Sequence, residues 1–276
     1  MNLTTTKLLN NGVKMPIFGL GVYKSADGEE TYNAVRWALE AGYRHIDTAA
    51  MYGNEASVGR AIKDSGIARE DIFVTTKLWN SRIREHNEEN ALKESLEKLG
   101  MDYVDLYLIH WPVREEQGYI RAWKKLEEFY KAGLCRAIGV SNYNVHHLED
   151  VLKVADVVPA LDQVECHPYL AQKELHEYCE KNGIALGPWS PLGRGRLLDD
   201  EVLVKLAEKY GKTTAQIVLR WDIQRGFVNI PKSVHKERIV SNAQVFDFAL
   251  SDEDMQLIFS LDRDQRFGSN PETFTF

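Results

Sequence analysis

The sequence predicts an α/β fold, a closed (β/α)8 TIM barrel with an N-terminal β-hairpin and extra C-terminal helices. Three observations point to it. Short apolar runs alternate with amphipathic helical stripes along almost the whole chain, which is the rhythm of a parallel sheet. Eight such units fit into roughly 250 residues, the size of a closed barrel rather than an open sheet. No linker, low-complexity run or break in composition divides the 276 residues, so residues 1–276 are expected to form one domain.

Each element has a local reason. Leu8 to Met15 reads as the hairpin, because Asn11-Gly12 is a favoured two-residue turn. A strand at Phe18–Leu20 leads to an expected helix over Glu29–Ala41, striped by Val35, Ala38 and Leu39 and stopped at Gly42. A strand ending at Asp47 leads to a helix from Glu55 to Ser65, stopped by Gly66. The run Ile72–Lys77 leads to a helix over Glu88–Leu99, stopped by Gly100. The run Val104–His110 leads to a helix over Tyr119–Ala132, stopped by Gly133. The second half continues with strands at Arg136–Ser141, Ala160–Glu165 and Ile184–Trp189. Helices are expected at Val145–Val154, Lys173–Lys181, Asp200–Tyr210 and Thr214–Arg225. An eighth strand is expected at Phe227–Ile230 and a helix over Lys236–Val245. Ser251-Asp252-Glu253-Asp254 then caps a last amphipathic helix.

Composition narrows the function. The chain is 44% hydrophobic with a net charge of −7 and a pI near 5.7, which argues against a nucleic-acid surface. Cys135, Cys166 and Cys179 form no C-x-x-C pair, so neither a disulfide framework nor a zinc site is expected. No basic-then-apolar leader and no run near 18 apolar residues occur, so the expectation is a soluble, cytoplasmic protein without a membrane partner.

The strands end on ionisable groups. His45-Ile46-Asp47 ends on a carboxylate, the run through Lys77 on an amine and the run through His110 on an imidazole; Tyr52 follows in a tight loop. Side chains alternate faces, so Phe73, Thr75 and Lys77 share one face, as do Leu106, Leu108 and His110. Taken singly, each has an ordinary reading: a turn cap, a solvated strand end, a core histidine, a rim tyrosine. Together, at the carboxyl ends of neighbouring parallel strands, they form an acid–base site. An ammonium beside a phenol favours the phenolate and is expected to lower its pKa from ~10 toward the working range. Asp47 holds Lys77 charged, and His110 donates to and orients a carbonyl oxygen. The set protonates an oxygen that is gaining negative charge, and a hydride donor is its natural partner.

Other motifs fall short. Gly19-Leu20-Gly21-Val22-Tyr23-Lys24 lacks the third glycine of a dinucleotide loop, and Leu206 stands where a P-loop ending at Gly211-Lys212-Thr213 needs its first glycine. His146-His147 sits at a helix start and reads as a solvated turn or cap rather than a metal site. A glycosidase needs two carboxylates across one cleft, and Asp47 has no evident partner of that kind.

The blocks HIDTAAMYGNE, TTKLWN, DYVDLYLIHWP, RAIGVSNY, DQVECHPYL, PWSPLG and IPKSVHKERIVSN resemble the aldo-keto reductase superfamily from Leu8 to about Asn270. The likeness is strongest to its compact microbial branch, which includes 2,5-diketogluconate reductases and protozoal prostaglandin F synthases. The resemblance implies a monomeric barrel oxidoreductase that uses NADPH to reduce small-molecule aldehydes, ketones or dicarbonyls, with Asp47, Tyr52, Lys77 and His110 as its catalytic tetrad. It implies that Ser141, Asn142 and Gln163 bind the nicotinamide carboxamide and that Trp189 stacks on the ring. Ser190 and Leu192 would line the pyrophosphate, and Gly21 and Val22 would join the cofactor contacts. Lys232, Ser233 and Arg238 would hold the 2′-phosphate and Asn242 the adenine. Ser241 stands where many relatives have Glu, Asp162 where Asn is common, Pro188 where Ala is common, and Tyr23 where Trp is common. The loop Trp111–Gly118 and the tail after Phe267 are short, so an open pocket lined by Tyr23, Trp79 and Trp111 is expected. Some members of the superfamily are cofactor-bound sensors or auxiliary scaffolds, which is the alternative reading.

Overall fold

The computed structural model describes residues 1–274. It opens with the hairpin, β1 (Thr6–Leu8) against β2 (Lys14–Pro16), with Leu8 opposite Lys14. The turn between them is longer than the two-residue turn expected. The Gly12 N–H donates to Leu9 O at 2.9 Å, and Gly12 takes φ 84° while Asn11 keeps a negative φ. A two-residue type I′ turn needs both central residues left-handed, so the chain uses a turn closed by one left-handed glycine instead.

The alternation then runs β3 (Leu20–Gly21), α1 (Glu29–Glu40), β4 (His45–Asp47), α2 (Glu55–Ser65), β5 (Phe73–Leu78), α3 (Asn80–Arg84), α4 (Glu88–Leu99), β6 (Val104–Ile109) and α5 (Glu116–Lys131). It continues through β7 (Cys135–Ser141), α6 (Val145–Val154), β8 (Leu161–Glu165), α7 (Lys173–Lys181), β9 (Ala185–Trp189), α8 (Glu201–Tyr210), α9 (Thr214–Gln224), α10 (Lys236–Asn242) and α11 (Asp252–Phe259). Gly66 and Gly100 end their helices at φ 72° and 65°, and Ser251 caps α11 by accepting from Asp254 N. The short helix α3 was not expected, and α10 stops three residues before Val245.

Strands β3 to β9 are parallel and pair in chain order. The run Phe227–Ile230, expected as an eighth strand, closes the ring through single bridges instead of a ladder. Phe18 bridges Asn229, Gly21 bridges Lys232, and Val228 N–H donates to Leu186 O at 3.1 Å. Pro231 has no N–H to offer a ladder at that point. Gly21 makes the closure possible, because a Cβ there would stand 2.8 Å from Ile230 O. No helix among the described residues is long and apolar enough to cross a membrane.

The alternation of faces sorts the core. Phe73, Leu106, Leu108, Ala137, Leu161, Ala185 and Val228 fill the barrel interior, and Leu9 and Met15 of the hairpin plug one end. Their neighbours Val74, Leu78, Tyr107, Ile109 and Ile138 face outward into the larger core beneath the helices, with Trp123 and Leu126 of α5. Burying each such aliphatic or aromatic side chain stabilises the fold by about 1.5–3 kcal/mol. Above Phe73 and Leu108 the interior face turns polar, with Lys77 and His110, and that change of chemistry marks the working end of the barrel.

His45 lies at 0% exposure on β4, edge-on to Phe73, with Nε2 3.1 Å from Thr75 Oγ1. Burial lowers its imidazole to about 4, against the pull of Asp47 and Asp105. A folded-state value below the unfolded one, 6.5, means stability is full above pH 6.5 and falls as the unfolded chain gains a proton the folded chain refuses. We expect a loss of about 3 kcal/mol from this residue between pH 6.5 and 4. Urea midpoints at pH 7, 5.5 and 4.5 check it: the wild type should lose more than His45→Asn, and parallel losses refute the assignment.

Candidate active site

Asp47 closes β4, Lys77 stands one residue before the end of β5, and His110 follows β6 directly. The register places Asp47 opposite Thr75 and Lys77 opposite Leu108, so the carboxylate and the amine sit at adjacent levels of one interior face. Lys77 Nζ donates to Asp47 Oδ1 at 2.6 Å and to Thr48 O at 2.8 Å, and the side chain is at 0% exposure. The other carboxylate oxygen, Asp47 Oδ2, accepts from Gln163 Nε2 at 2.7 Å. Tyr52 comes from the short 3-10 turn Ala50–Tyr52, closed by Gly53 at φ 71°. Its ring centre lies 5.2 Å from Lys77 Nζ, 5.5 Å from the His110 ring and 5.0 Å from the Tyr23 ring. The structure therefore brings all four expected residues to one mouth.

The electrostatics differ from the sequence expectation in one respect. Burial pushes the Tyr52 phenol well above its ordinary value, and the Asp47 carboxylate adds to the rise. The expected lowering by Lys77 does not prevail over burial and the Asp47 charge. Burial also lowers Lys77, a shift that Asp47 opposes. His110 falls well below the ordinary imidazole value through burial and the nearby Lys77 charge, so it is neutral. Its Nδ1 is buried and has no partner among the described residues. The mouth thus holds a protonated phenol and a neutral imidazole above a buried ion pair. That set can hand over one proton and orient one oxygen.

Around it the amides are linked. Ser141 Oγ donates to Gln163 O at 2.7 Å, Asn142 Nδ2 to His110 O at 2.9 Å, and Trp189 Nε1 to Asn142 Oδ1 at 2.8 Å. Tyr23, Trp79, Trp111 and Gly21 line the same cavity of about 180 Å³ with Ser190 and Lys232. A second cavity of about 760 Å³ is lined by Leu192, Ser233, Arg238 and Asn242. Tyr23, Ser190, Arg194 and Lys232 belong to both, so the two form one groove from the tetrad to a basic end. Val22 is buried and lines neither cavity.

This geometry has close counterparts. The family model for the aldo/keto reductase family matches residues 17–263. The chain belongs to the aldo/keto reductase family. It is 52% identical to glyoxal reductase of Bacillus subtilis over 100% of this chain and 99% of that protein. The crystal structure of MGS-M4, an aldo-keto reductase from a Medee basin deep-sea metagenome library, covers 98% of this chain and 100% of its own at a TM-score of 0.95 and 46% identity. The Bombyx mori aldo-keto reductase AKR2E4, solved in complex with NADP, matches at 39% identity and a TM-score of 0.88, with 95% and 94% of the two chains covered.

Several groove residues escaped the sequence reading. Arg194 lines both cavities, and Met51, Ser269 and Phe274 line the inner one. The Phe274 ring lies 4.7 Å from Trp111, so the substrate side is more covered than the open pocket expected from a short tail. The structure marks the groove in one further way: Lys24, Asn142, Ser190 and Arg194 hold φ between 49° and 65°, a strained left-handed conformation for residues other than glycine. Away from the groove, His146, His147 and Glu272 bring one ligand-capable atom each within 4.8 Å of one another. His147 Nδ1 already accepts from Asn144 N at 3.1 Å in the cap of α6, whose N-terminal dipole opposes a cation.

The raised phenol can be read directly. In a difference titration of the wild type against Tyr52→Phe, no phenolate attributable to Tyr52 should form below pH ~10. A tyrosinate signal near neutrality, missing from the variant, would show that Lys77 dominates after all.

Proposed function

We propose that the chain is an NADPH-dependent reductase, folded as one catalytic domain over residues 1–276, that converts aldehydes, ketones or dicarbonyls to alcohols. The observation that carries this reading is the continuous groove with the four-residue mouth at one end and the cations Arg194, Lys232 and Arg238 along the rest. The groove residues would hold NADPH, which when bound would supply the hydride. Tyr52 gives its proton to the carbonyl oxygen as negative charge builds there, and the phenolate left behind is stabilised by Lys77. Asp47 and the Thr48 carbonyl hold Lys77 in place for that moment. Neutral His110 donates a hydrogen bond to the same oxygen and sets its direction. Ser141, Asn142 and Gln163 would hold the carboxamide, and Trp189, pinned through Nε1, would offer its face to the nicotinamide ring.

At the far end, Lys232 and Arg238 are exposed and Ser233 is buried, with Glu237 as the acidic neighbour in the same cavity. Helix α10 has only seven residues, so side-chain charge rather than a helix dipole supports recognition of a 2′-phosphate there. Ser190, Leu192 and Gly21 flank the path between, and Asn242 stands where adenine would end. The similarity to a glyoxal reductase favours small α-dicarbonyls as substrates, with the aromatic wall of Tyr23, Trp79 and Trp111 admitting larger aldehydes as well.

Two measurements test this. Tyr52→Phe should reduce kcat for methylglyoxal by about 10²–10⁴-fold, the worth of a general acid, while NADPH binding by fluorescence stays within about twofold. Turnover that survives the change rules out Tyr52 as the acid. Arg238→Ala should raise KM for NADPH about tenfold and leave KM for NADH unchanged, since only the former carries the 2′-phosphate. An equal effect on both cofactors would move the phosphate site elsewhere.

A further inference from the structure

Glu165 is a buried carboxylate that the proposed chemistry does not use. It ends β8, lies at 0% exposure and stands opposite Trp189 in the register. Its partners come from the far end of the sequence. Glu165 Oε1 accepts from Phe267 N at 2.7 Å and Gly268 N at 3.0 Å, and Oε2 from Gly268 N at 3.0 Å. His167 Nε2 lies 3.2 Å from Oε1, and the His167 ring stacks on Phe267 at 4.9 Å. Arg196 covers the same Phe267 ring at 5.0 Å. Against the upward push of burial, the His167 contact and the two backbone amides hold the Glu165 carboxyl below its ordinary value, and the charge of the carboxylate strengthens each amide bond.

The tail leaves this point under tight steric control. A Cβ on Gly268 would stand 2.3 Å from the Trp189 ring and 3.0 Å from Glu165 Oε2, so backbone lies directly on the indole. A few residues on, Ser269 and Phe274 line the cavity of the tetrad, and Phe274 meets Trp111. The stretch between Phe267 and Phe274 is therefore a wall of the substrate cavity, held at its start by Glu165 and further along by the bond from Asn144 Nδ2 to Glu272 Oε1.

We propose that Glu165 is a positioning residue for substrate selection: by holding Phe267 and Gly268 it sets the Ser269–Phe274 wall, and so favours carbonyl substrates that carry a flat apolar group. The small dicarbonyl needs no such wall, because the tetrad alone can hold its oxygen. This rests on the reductase reading above, and the experiment separates the two.

Wild type, Glu165→Gln, Glu165→Ala and a chain ending at Arg266 are compared with NADPH, using glyoxal and 4-nitrobenzaldehyde. Both Glu165 variants should raise KM for nitrobenzaldehyde about tenfold while kcat and KM for glyoxal stay within about twofold. Trypsin should cut after Arg263 or Arg266 about tenfold faster than in wild type, which reports release of the tail itself. The truncated chain should show the same selective loss, and adding Glu165→Ala to it should cost nothing more, since coupled residues are not additive. Equal loss for both substrates, unchanged cleavage, or a further loss in the truncated background would each overturn the proposal. Should Glu165→Ala fail to fold, Glu165→Gln and the truncation decide it alone. If wild type reduces neither carbonyl, the reductase reading fails, and the cleavage rates still decide the tether.

Discussion

The buried pair of Lys77 and Asp47 is the constraint on which the working end of this barrel depends. An ammonium at 0% exposure is tolerable only with its charge met and its protons largely bonded; Asp47 Oδ1 meets the charge, and Asp47 Oδ1 and Thr48 O take two of the three protons. The pair also fixes its surroundings. Asp47 Oδ2 holds Gln163, Gln163 O accepts from Ser141, Ser141 Oγ accepts from Asn142, and Asn142 holds Trp189. One ion pair thus orders side chains from β4, β5, β7, β8 and β9 into a single surface facing the groove. A barrel can do this because its strands run parallel and present their ends at one rim.

On the proposed reading, the same arrangement lets a weak acid serve. A phenol raised by burial stays protonated, and its release would be driven by the far greater basicity of a forming alkoxide. The cation would act on the product of that transfer, not on the resting phenol. Neutral His110 completes the site without adding a charge that would compete with Lys77. The groove beyond is basic in an otherwise acidic chain, with Lys232, Arg194 and Arg238 spaced along it.

Much of this was legible in the sequence because it rests on short periods. The two-residue alternation in Phe73-Val74-Thr75-Thr76-Lys77 and in Leu106–His110 tells which groups face inward, and strand–helix alternation tells that their ends meet. What stayed hidden depends on contacts between distant residues. Glu165 and Phe267 are 102 positions apart, and nothing local in the tail announces that it will cross Trp189 or reach Trp111. Ring closure at Asn229 and Lys232 was anticipated as a strand, yet Pro231 allows only bridges. The direction of the Tyr52 shift was also hidden. Sequence shows that a lysine, its aspartate partner and a tyrosine will be neighbours, but not that burial outweighs the pull of the lysine on the phenol.

The most direct test is a double-substitution cycle on the ion pair, read for both stability and turnover: Lys77→Met, Asp47→Leu and the two together. Each single change strands a buried charge or its partner bonds and should cost about 3–5 kcal/mol in urea unfolding, whereas the double variant, with no charge left to satisfy, should recover most of that. Turnover with NADPH and methylglyoxal should be lost in all three. Additive destabilisation in the double variant, or a double variant that still reduces the carbonyl, would contradict the view that this one pair both holds the site together and stabilises the phenolate left by the departing proton.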